Sequence, residues 1–416
     1  MDATAVTGAR NWEAVRARHP ELVERLEVGL SQGDPLADAV VVEARERGMS
    51  FSTLVDLLES HADPAAPDDP DRIEMPASMR RLLRETSTPP TWFDAAIAAS
   101  GARAWWRFGT LQSSTLYQSL IYGYKAQGFV RPLVATGRLG LGTRDRVQST
   151  ARWVAEATTP GAMLPGNPGW VATLRIRLLH AYIRDTLRHP HRVDAEDAAG
   201  WDEDAWGVPI NQTYSLMTIS CGFLALPLVV ARDFGIHYSS AEREAITHLW
   251  RWIGWVVGVD DDLLPVSHAE AADLFRVAAE FELEPDDSSK VLIKALLHEG
   301  YDLPGVVQGA APIPVPAVLV SALDAVTGPI LRSSFSAIST RWVERPVARR
   351  MGLRRSPLHH LVDVARPAIR LREIIRATGL LGSESVVIER ELRTVRRGLG
   401  MNHAAAHDPH SVVRAG

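Results

Sequence analysis

The chain has 416 residues, more than one typical hydrophobic core holds, so its length predicts one large domain with extensions or two domains. Hydrophobic residues make up 46% and charged residues 23%, as in an ordinary globular protein. The formal charge is −5 and the basic residues are scattered, which excludes the electrostatic footprint of a nucleic-acid-binding protein. The single cysteine, Cys221, excludes an intramolecular disulfide and any zinc or iron–sulfur site built from cysteines.

The first residues and the apolar runs of the sequence bear on where the protein is located in the cell. The first residues, MDATAVTGARNWEAVR, have no basic region followed by an apolar core, so no signal peptide is expected. The longest strongly apolar run, Cys221–Ala231, is well short of the roughly 20 residues that span a bilayer. Together these observations predict a soluble, cytoplasmic protein.

Apolar residues recur at helical spacing along most of the chain, and no stretch has the alternation typical of strands. The sequence therefore predicts an all-α fold of about a dozen helices. In chain order, the predicted helices lie within residues 1–60, 90–127, 146–158, 174–188, 209–234, 239–259, 268–281, 288–298, 318–343, 358–375 and 385–398.

Composition divides the chain into three parts. The stretch His61–Pro76 is rich in aspartate and proline and cannot be regular, so it predicts a linker or surface loop. Residues 1–75 are then an N-terminal helical extension with its linker, and residues 76–400 form the main all-α domain. Residues 401–416 are expected to be a frayed C-terminal tail.

One predicted helix, Leu174–Arg188, carries a histidine between two arginines. At 3.6 residues per turn, Arg177 lies one turn before His180 and Arg184 one turn after it, on the same face. A neutral imidazole in an apolar stripe can bind haem iron while flanking guanidiniums meet the haem propionates. On spacing alone, however, a core or surface histidine on a solvated helix is the commoner interpretation.

The preceding predicted helix has a mixed polar face. Arg146, Ser149, Thr150 and Trp153 fall at offsets of 0, +3, +4 and +7, which places a cation, two hydroxyls and an aromatic ring together. This face fits the lining of a polar pocket. It fits the half-buried side of an ordinary helix equally well.

Three other kinds of catalytic site find less support in the sequence. The acidic run Asp260–Asp262 offers a competing interpretation, a magnesium-dependent terpenoid enzyme. However, such a site needs a further acidic residue one turn on, and Leu263–Pro265 occupy that place. A solvated helix terminus is therefore favoured there. The sequence also lacks the paired Glu-x-x-His motifs of a di-iron bundle and the Gly-x-Ser-x-Gly of a serine hydrolase.

Taken together, several ordered motifs resemble the family of MpaB-type oxygenases and rubber oxygenases, the latter called latex-clearing proteins. The resemblance runs from about Phe108 to Leu264. Its parts are SLIYGYKAQGFVRPLVATGRL, RVQSTARWVAEATTPGAMLPGNPGW, IRLLHAYIRD, WGVPINQTYSLMTI and LWRWIGWVVGVDDDLLP.

The resemblance implies a globin-like arrangement of helices around a b-type haem. By residue-to-residue matching it implies that His180 is the proximal iron ligand and that Arg177 and Arg184 lie near the haem, at its propionates. It implies that Arg146 and Thr150 lie on the distal side. The activity that it implies is oxidative cleavage of carbon–carbon double bonds by O2, in polyisoprene or isoprenoid side chains.

This sequence departs from the latex-clearing proteins at three points. They carry a lysine immediately before the threonine, where this chain has Ser149. Their proposed catalytic glutamate has no match, because Val130–Arg138 contains no carboxylate, and their export signal is missing. These departures favour a smaller intracellular substrate over rubber.

The sequence thus predicts a haem-dependent oxygenase with His180 on the iron and oxygen on the side of Arg146, Ser149 and Thr150. Its expected substrate is a small apolar or isoprenoid-like molecule. The protein is expected to bind no nucleic acid and to have no transmembrane segment. The alternatives are a non-catalytic haem carrier or sensor, a helical binding module, and the magnesium-dependent terpenoid enzyme.

Overall fold

The computed structural model describes residues 12–62, 75–138, 142–189, 201–281, 285–299 and 317–401. Helices and the turns between them account for all regular structure in these ranges, and no described residue lies in a strand. The predicted all-α fold is confirmed.

The described ranges contain twenty α-helices. They are α1 Trp12–Arg18, α2 Pro20–Leu30, α3 Pro35–Glu46, α4 Phe51–Ser60, α5 Ala77–Thr86, α6 Ala95–Trp105, α7 Gln112–Gly123, α8 Gln127–Arg138, α9 Thr143–Ala157, α10 Pro168–Arg188, α11 Glu203–Trp206, α12 Gln212–Leu216, α13 Leu226–Asp233, α14 Ser240–Val256, α15 His268–Phe281, α16 Asp287–Glu299, α17 Ala317–Ser339, α18 Arg345–Arg350, α19 Leu361–Ala377 and α20 Glu384–Gly398. Short 3₁₀ turns cover Trp106–Leu111 and Pro357–His360, and a π-helical segment, Met217–Ala225, joins α12 to α13.

Local sequence signals set several helix starts. Asp34 caps α3 by accepting a hydrogen bond from the Ala37 backbone N–H, and Pro35 supplies the preset first turn. In the sequence, Ser239 or Ser240 with Glu242 or Arg243 in the first turn predicts a cap for α14, and the structure confirms it at Ser239, which forms a reciprocal capping box with Glu242.

The helix expected from Val208–Pro209 begins later than predicted. It starts at Gln212, because the Asn211 side chain accepts a hydrogen bond from the Tyr214 backbone N–H and Ile210 is held at a φ of 50°. Among the described helices, the continuous Gln212–Asp233 is long and apolar enough to cross a membrane. However, 78% of its most apolar window is buried inside the protein, as in a core helix.

Aromatic side chains fill the centre of the fold around α14. The Trp250 ring lies 5.3 Å from Trp105 and 5.6 Å from Phe223, and the Trp153 ring lies 5.4 Å from Phe223. Trp250 and Trp252 are fully buried, which agrees with their predicted role in packing. Helices from both ends of the chain contribute to this one apolar cluster.

The N-terminal helices pack directly on the rest of the protein. Val23 and Leu26 of α2 are fully buried in the common core, and the Thr213 hydroxyl donates to the Leu26 carbonyl. The Val208 backbone N–H donates to the Leu30 carbonyl at 2.9 Å. The three-part division of the chain stays a prediction, since most of its linker (63–74) and its tail (402–416) lie outside the described residues.

Candidate functional site

The helix that carries His180, α10, forms an antiparallel hairpin with α9. The turn between them lets the two helices approach closely at Gly169, where a Cβ atom would lie 2.9 Å from the carbonyl oxygens of Glu156 and Ala162. The Trp153 indole N–H donates to the Thr173 hydroxyl at 3.0 Å and ties the helices together. This bond fixes which residues face one another across the hairpin.

His180 lies deep in the protein, and its imidazole is held neutral. The pKa of His180 is lowered to about 4, mainly by burial and also by the nearby Arg184 guanidinium, whereas Asp34 opposes the shift. The residue as a whole is half-buried and keeps some accessible surface. It makes no hydrogen bond to another described residue. A neutral ring with an uncommitted nitrogen is the form in which histidine binds a metal.

Arg177, one turn before His180, is fully engaged by protein groups. Its Nε and Nη2 donate to the two carboxylate oxygens of Asp34 at 2.6 and 2.9 Å, and its Nη1 donates to the Val256 carbonyl at 3.3 Å. Both side chains of this ion pair are buried. The pair therefore fixes α10 against the start of α3 and the end of α14.

Arg184, one turn after His180, is engaged in the same way. Its guanidinium forms an ion pair with Asp38 and donates to the carbonyls of Pro209 and Ile210 at 3.0 and 2.9 Å. Burial raises the pKa of Asp38 although Arg184 opposes the shift. The donors of both arginines thus bind carboxylates and carbonyls of this chain, and their contact with haem propionates stays a prediction.

The polar face of α9 carries the other three predicted site residues. Arg146 donates to the Leu133 carbonyl at 2.8 Å, which joins α9 to α8, and it also bonds the Tyr124 hydroxyl. The Thr150 hydroxyl donates to the Arg146 carbonyl at 2.8 Å, and Ser149 is half-buried. The serine makes no hydrogen bond to another described residue.

The hairpin geometry brings the two predicted faces to the same level. Arg146 lies seven residues before Trp153 and His180 seven residues after Thr173, which is about 10 Å along each axis. Because the helices run antiparallel, Arg146 is level with His180, and Ser149 and Thr150 follow within one turn. The Trp153–Thr173 bond therefore places the predicted residues of α9 and α10 on the facing sides of one hairpin.

The residues of this region fit an iron porphyrin in one respect. The neutral, unpartnered imidazole of His180 has the chemistry of an axial ligand. Leu133 of α8 and Ile176 and Leu179 of α10 are half-buried apolar residues that pack against the main core.

The competing magnesium site has little support in the described structure. Asp261 accepts hydrogen bonds from Arg251 and from the Trp92 indole N–H, both at 2.9 Å, so its carboxylate is already bound. Within the described ranges, no group of three or more His, Cys, Asp and Glu side chains could hold a metal ion. Residues 190–200, which include His191, lie outside those ranges.

Two small cavities border the π-helical segment next to α9. The first, about 40 Å³, lies between the segment, α7 and α8, and the second, about 30 Å³, lies between α7 and α9. Ser119 and Phe223 line both cavities. The second cavity also borders a buried indole N–H of Trp105 and a buried amide oxygen of Gln112, neither of which has a partner among the described residues.

Sequence reasoning missed the two carboxylates that neutralise the arginines. Asp34 and Asp38 stand in the segment GDPLADAV, where an aspartate before proline signals a helix cap and nothing more. They lie 143 and 146 residues before their partners. No local pattern in the sequence connects them to α10.

Comparison with known proteins identifies a matching family and a relative. The model of the family described as "ER-bound oxygenase mpaB/B'/Rubber oxygenase, catalytic domain" matches residues 106–377. A rubber oxygenase of Streptomyces sp. (strain K30) is 23% identical over 307 residues, which cover 71% of this chain and 65% of that protein. The alignment thus spans slightly less than two thirds of its length.

A solved structure shows the same fold. The structure of latex clearing protein LCP in the closed state superposes with a TM-score of 0.61, covering 91% of this chain and 94% of the other. The two sequences are 19% identical. The residues that the family model matches, 106–377, include the whole of α9 and α10, the helices that carry the predicted site.

Proposed function

This chain belongs to the family of mpaB-type oxygenases and rubber oxygenases, and on that premise we propose that it is a haem-dependent oxygenase. The proposed reaction is the oxidative cleavage of a carbon–carbon double bond in a small apolar or isoprenoid-like substrate by O2. The observation that carries the proposal is the neutral imidazole of His180, which has no hydrogen-bond partner among the described residues and lies on a helix that the family match includes.

In this proposal His180 holds the iron, and the rest of α10 holds His180 in place. When bound, the haem would supply the redox-active iron that chemistry with O2 requires. The buried pairs of Arg177 with Asp34 and of Arg184 with Asp38 fix the helix on both sides of the histidine. The imidazole therefore needs little reorganisation to bind the metal.

The face of α9 supplies the polar groups on the other side of the site. The Ser149 and Thr150 hydroxyls can donate hydrogen bonds to an oxygen atom, and Arg146 places a positive charge near them. Serine has no amine, so Ser149 would not coordinate a bound iron, whereas the latex-clearing proteins have lysine at this position. This difference supports a substrate and a mode of control different from those of the rubber oxygenases.

The proposal is tested by absorption spectroscopy of the purified protein, before and after titration with haemin. We expect an intense Soret band in the wild type and its loss or displacement in His180→Ala. The matched control is His237→Ala, which removes an exposed histidine far along the chain and should leave the band unchanged. A wild-type protein that takes up no haemin, or an unchanged Soret band in His180→Ala, would refute the assignment.

A second function, a haem carrier or sensor without catalysis, is favoured by one observation. Position 149 lacks the lysine of the latex-clearing proteins, and the described part of α8 offers no carboxylate in Val130–Val134. Oxygen consumption with an isoprenoid alkene separates the two functions. Steady consumption by the haem-loaded protein supports the oxygenase, whereas an intact Soret band without consumption supports the carrier.

A further inference from the structure

The C-terminal helix α19 exposes an apolar stripe to solvent. Leu361, Val364, Ala368, Leu371 and Ile374 recur at offsets of 0, +3, +7, +10 and +13, which lie on one helical face. Val364 is 73% exposed, Leu371 57% and Ile374 63%, and Leu380 beyond the helix end is 78% exposed. Scattered exposed apolar residues are normal, but a continuous stripe of them marks an interaction surface.

The opposite side of α19 is firmly attached to the protein, so the stripe cannot turn inward. Val362 and Ile369 are buried. At one end Arg366 donates to the Asp233 carbonyl at 2.6 Å, and at the other Arg372 forms an ion pair with Glu391 at 2.8 Å. The helix therefore presents its apolar face outward as a fixed feature of the fold.

The C-terminal segment that carries the stripe is basic in sequence although the whole chain is acidic. Residues 340–400 contain fourteen arginines and six acidic residues, a formal charge of +8, whereas the chain as a whole carries −5. Arg354 and Arg355 stand seven and six residues before the start of α19, ahead of the 3₁₀ turn, and Arg370 lies on the helix; all three are exposed. None of these three forms an ion pair with a carboxylate among the described residues.

An outward apolar stripe bordered by arginines is the composition of a helix that lies in the interface of an anionic bilayer. We propose that α19 docks this protein on an anionic membrane, with Leu371 and Ile374 inserted among the acyl chains and Arg354, Arg355 and Arg370 at the lipid headgroups. A second copy of the chain fits this surface poorly, because a symmetric contact would bring the exposed Arg354, Arg355 and Arg370 of two copies together. The proposal does not depend on the haem.

The test is flotation of the purified full-length chain with vesicles, either of pure phosphatidylcholine or with about 30 mol% phosphatidylserine. We expect binding to the anionic vesicles, little binding to the neutral ones, and a decrease as salt is raised. The double variant Leu371→Asp/Ile374→Asp should bind about tenfold more weakly, and Arg354→Gln/Arg355→Gln should lose most of its dependence on phosphatidylserine.

Matched controls separate docking from a general effect of charge or folding. Val291→Asp changes an apolar residue that is 63% exposed on α16, and it should bind like the wild type. Circular dichroism and thermal unfolding of each variant exclude misfolding. The proposal is overturned if the wild type ignores anionic vesicles, or if Val291→Asp loses as much binding as the double variant. It is also overturned if Ile374→Asp abolishes a lipid-free dimer, which would assign the stripe to a second copy.

Discussion

Two helices of this protein look alike in sequence but occupy opposite environments. Residues 174–188 of α10 (LRIRLLHAYIRDTLR) and α19 (LVDVARPAIRLREIIRA) both combine apolar residues and arginines at helical spacing. In α10 the arginines on the His180 face are buried, at 8% exposure for Arg177 and 4% for Arg184. In α19 the exposed face is the apolar one, and most of its arginines lie at the margins.

The difference follows from where carboxylates stand in the fold. A guanidinium can be buried only with partners for its charge and donors, and Asp34 and Asp38 of α3 supply them for α10. The carboxylates that meet α19, such as Asp233 and Glu391, are only partly buried and hold the helix at the surface. The same sequence pattern therefore forms a core helix in α10 and a surface helix in α19.

The largest predicted effect comes from removing the buried carboxylate of α10. Asp34→Ala should lower the free energy of unfolding by about 3 kcal/mol, because it leaves the Arg177 charge buried without a partner. Urea denaturation of the haem-free protein measures the loss.

The matched control for this prediction is Asp94→Ala. Asp94 caps α6 through the backbone N–H groups of Ala96 and Ile97 but is exposed and has no buried arginine. Its removal should cost clearly less than that of Asp34. Equal losses in the two variants would show that the Arg177 pair contributes nothing beyond a helix cap.

The corresponding change on α19 should be smaller. Asp363→Asn breaks the ion pairs with Arg341 and Arg366, but the Asp363 side chain is 38% exposed and solvent screens it. We expect a loss of about 1 kcal/mol or less at neutral pH, measured by the same denaturation. A loss as large as that of Asp34→Ala would contradict the distinction between the two helices.

The same aspartate gives the stability a defined pH dependence. The hydrogen bond from Arg341 lowers the pKa of Asp363 from 3.8 to about 2. Its stabilising contribution is therefore present above the unfolded value and is lost as the pH falls through that window. Wild type and Asp363→Asn should converge in unfolding free energy between about pH 4 and pH 2, and a constant difference would refute the assignment.

The smallest predicted effect concerns His180 itself. Because its ring makes no hydrogen bond to a described residue, His180→Leu should change the stability of the haem-free protein by less than about 1 kcal/mol. The same variant should lose the Soret band. A large loss of stability without haem would instead give the histidine a structural role.

Local rules predicted much of the fold because helix formation depends on near neighbours. Helical spacing identified the elements, and the Ser239 cap with Glu242 was found where the sequence indicated. The start at Gln212 and the π-helical segment after it were missed. Ser119 donates to the Gly222 carbonyl within that segment at 2.6 Å, a bond between residues 103 positions apart.

The sequence by itself determined that Arg177, His180 and Arg184 share one face, since the pitch of a helix settles that without further information. It also determined that Arg146, Ser149 and Thr150 share another. Only the tertiary structure decided that the two faces stand level across a hairpin, that Asp34 and Asp38 neutralise the arginines, and that the stripe of α19 faces outward. These outcomes depend on contacts between distant segments, because burial of charge and of apolar surface is settled by what packs against a helix.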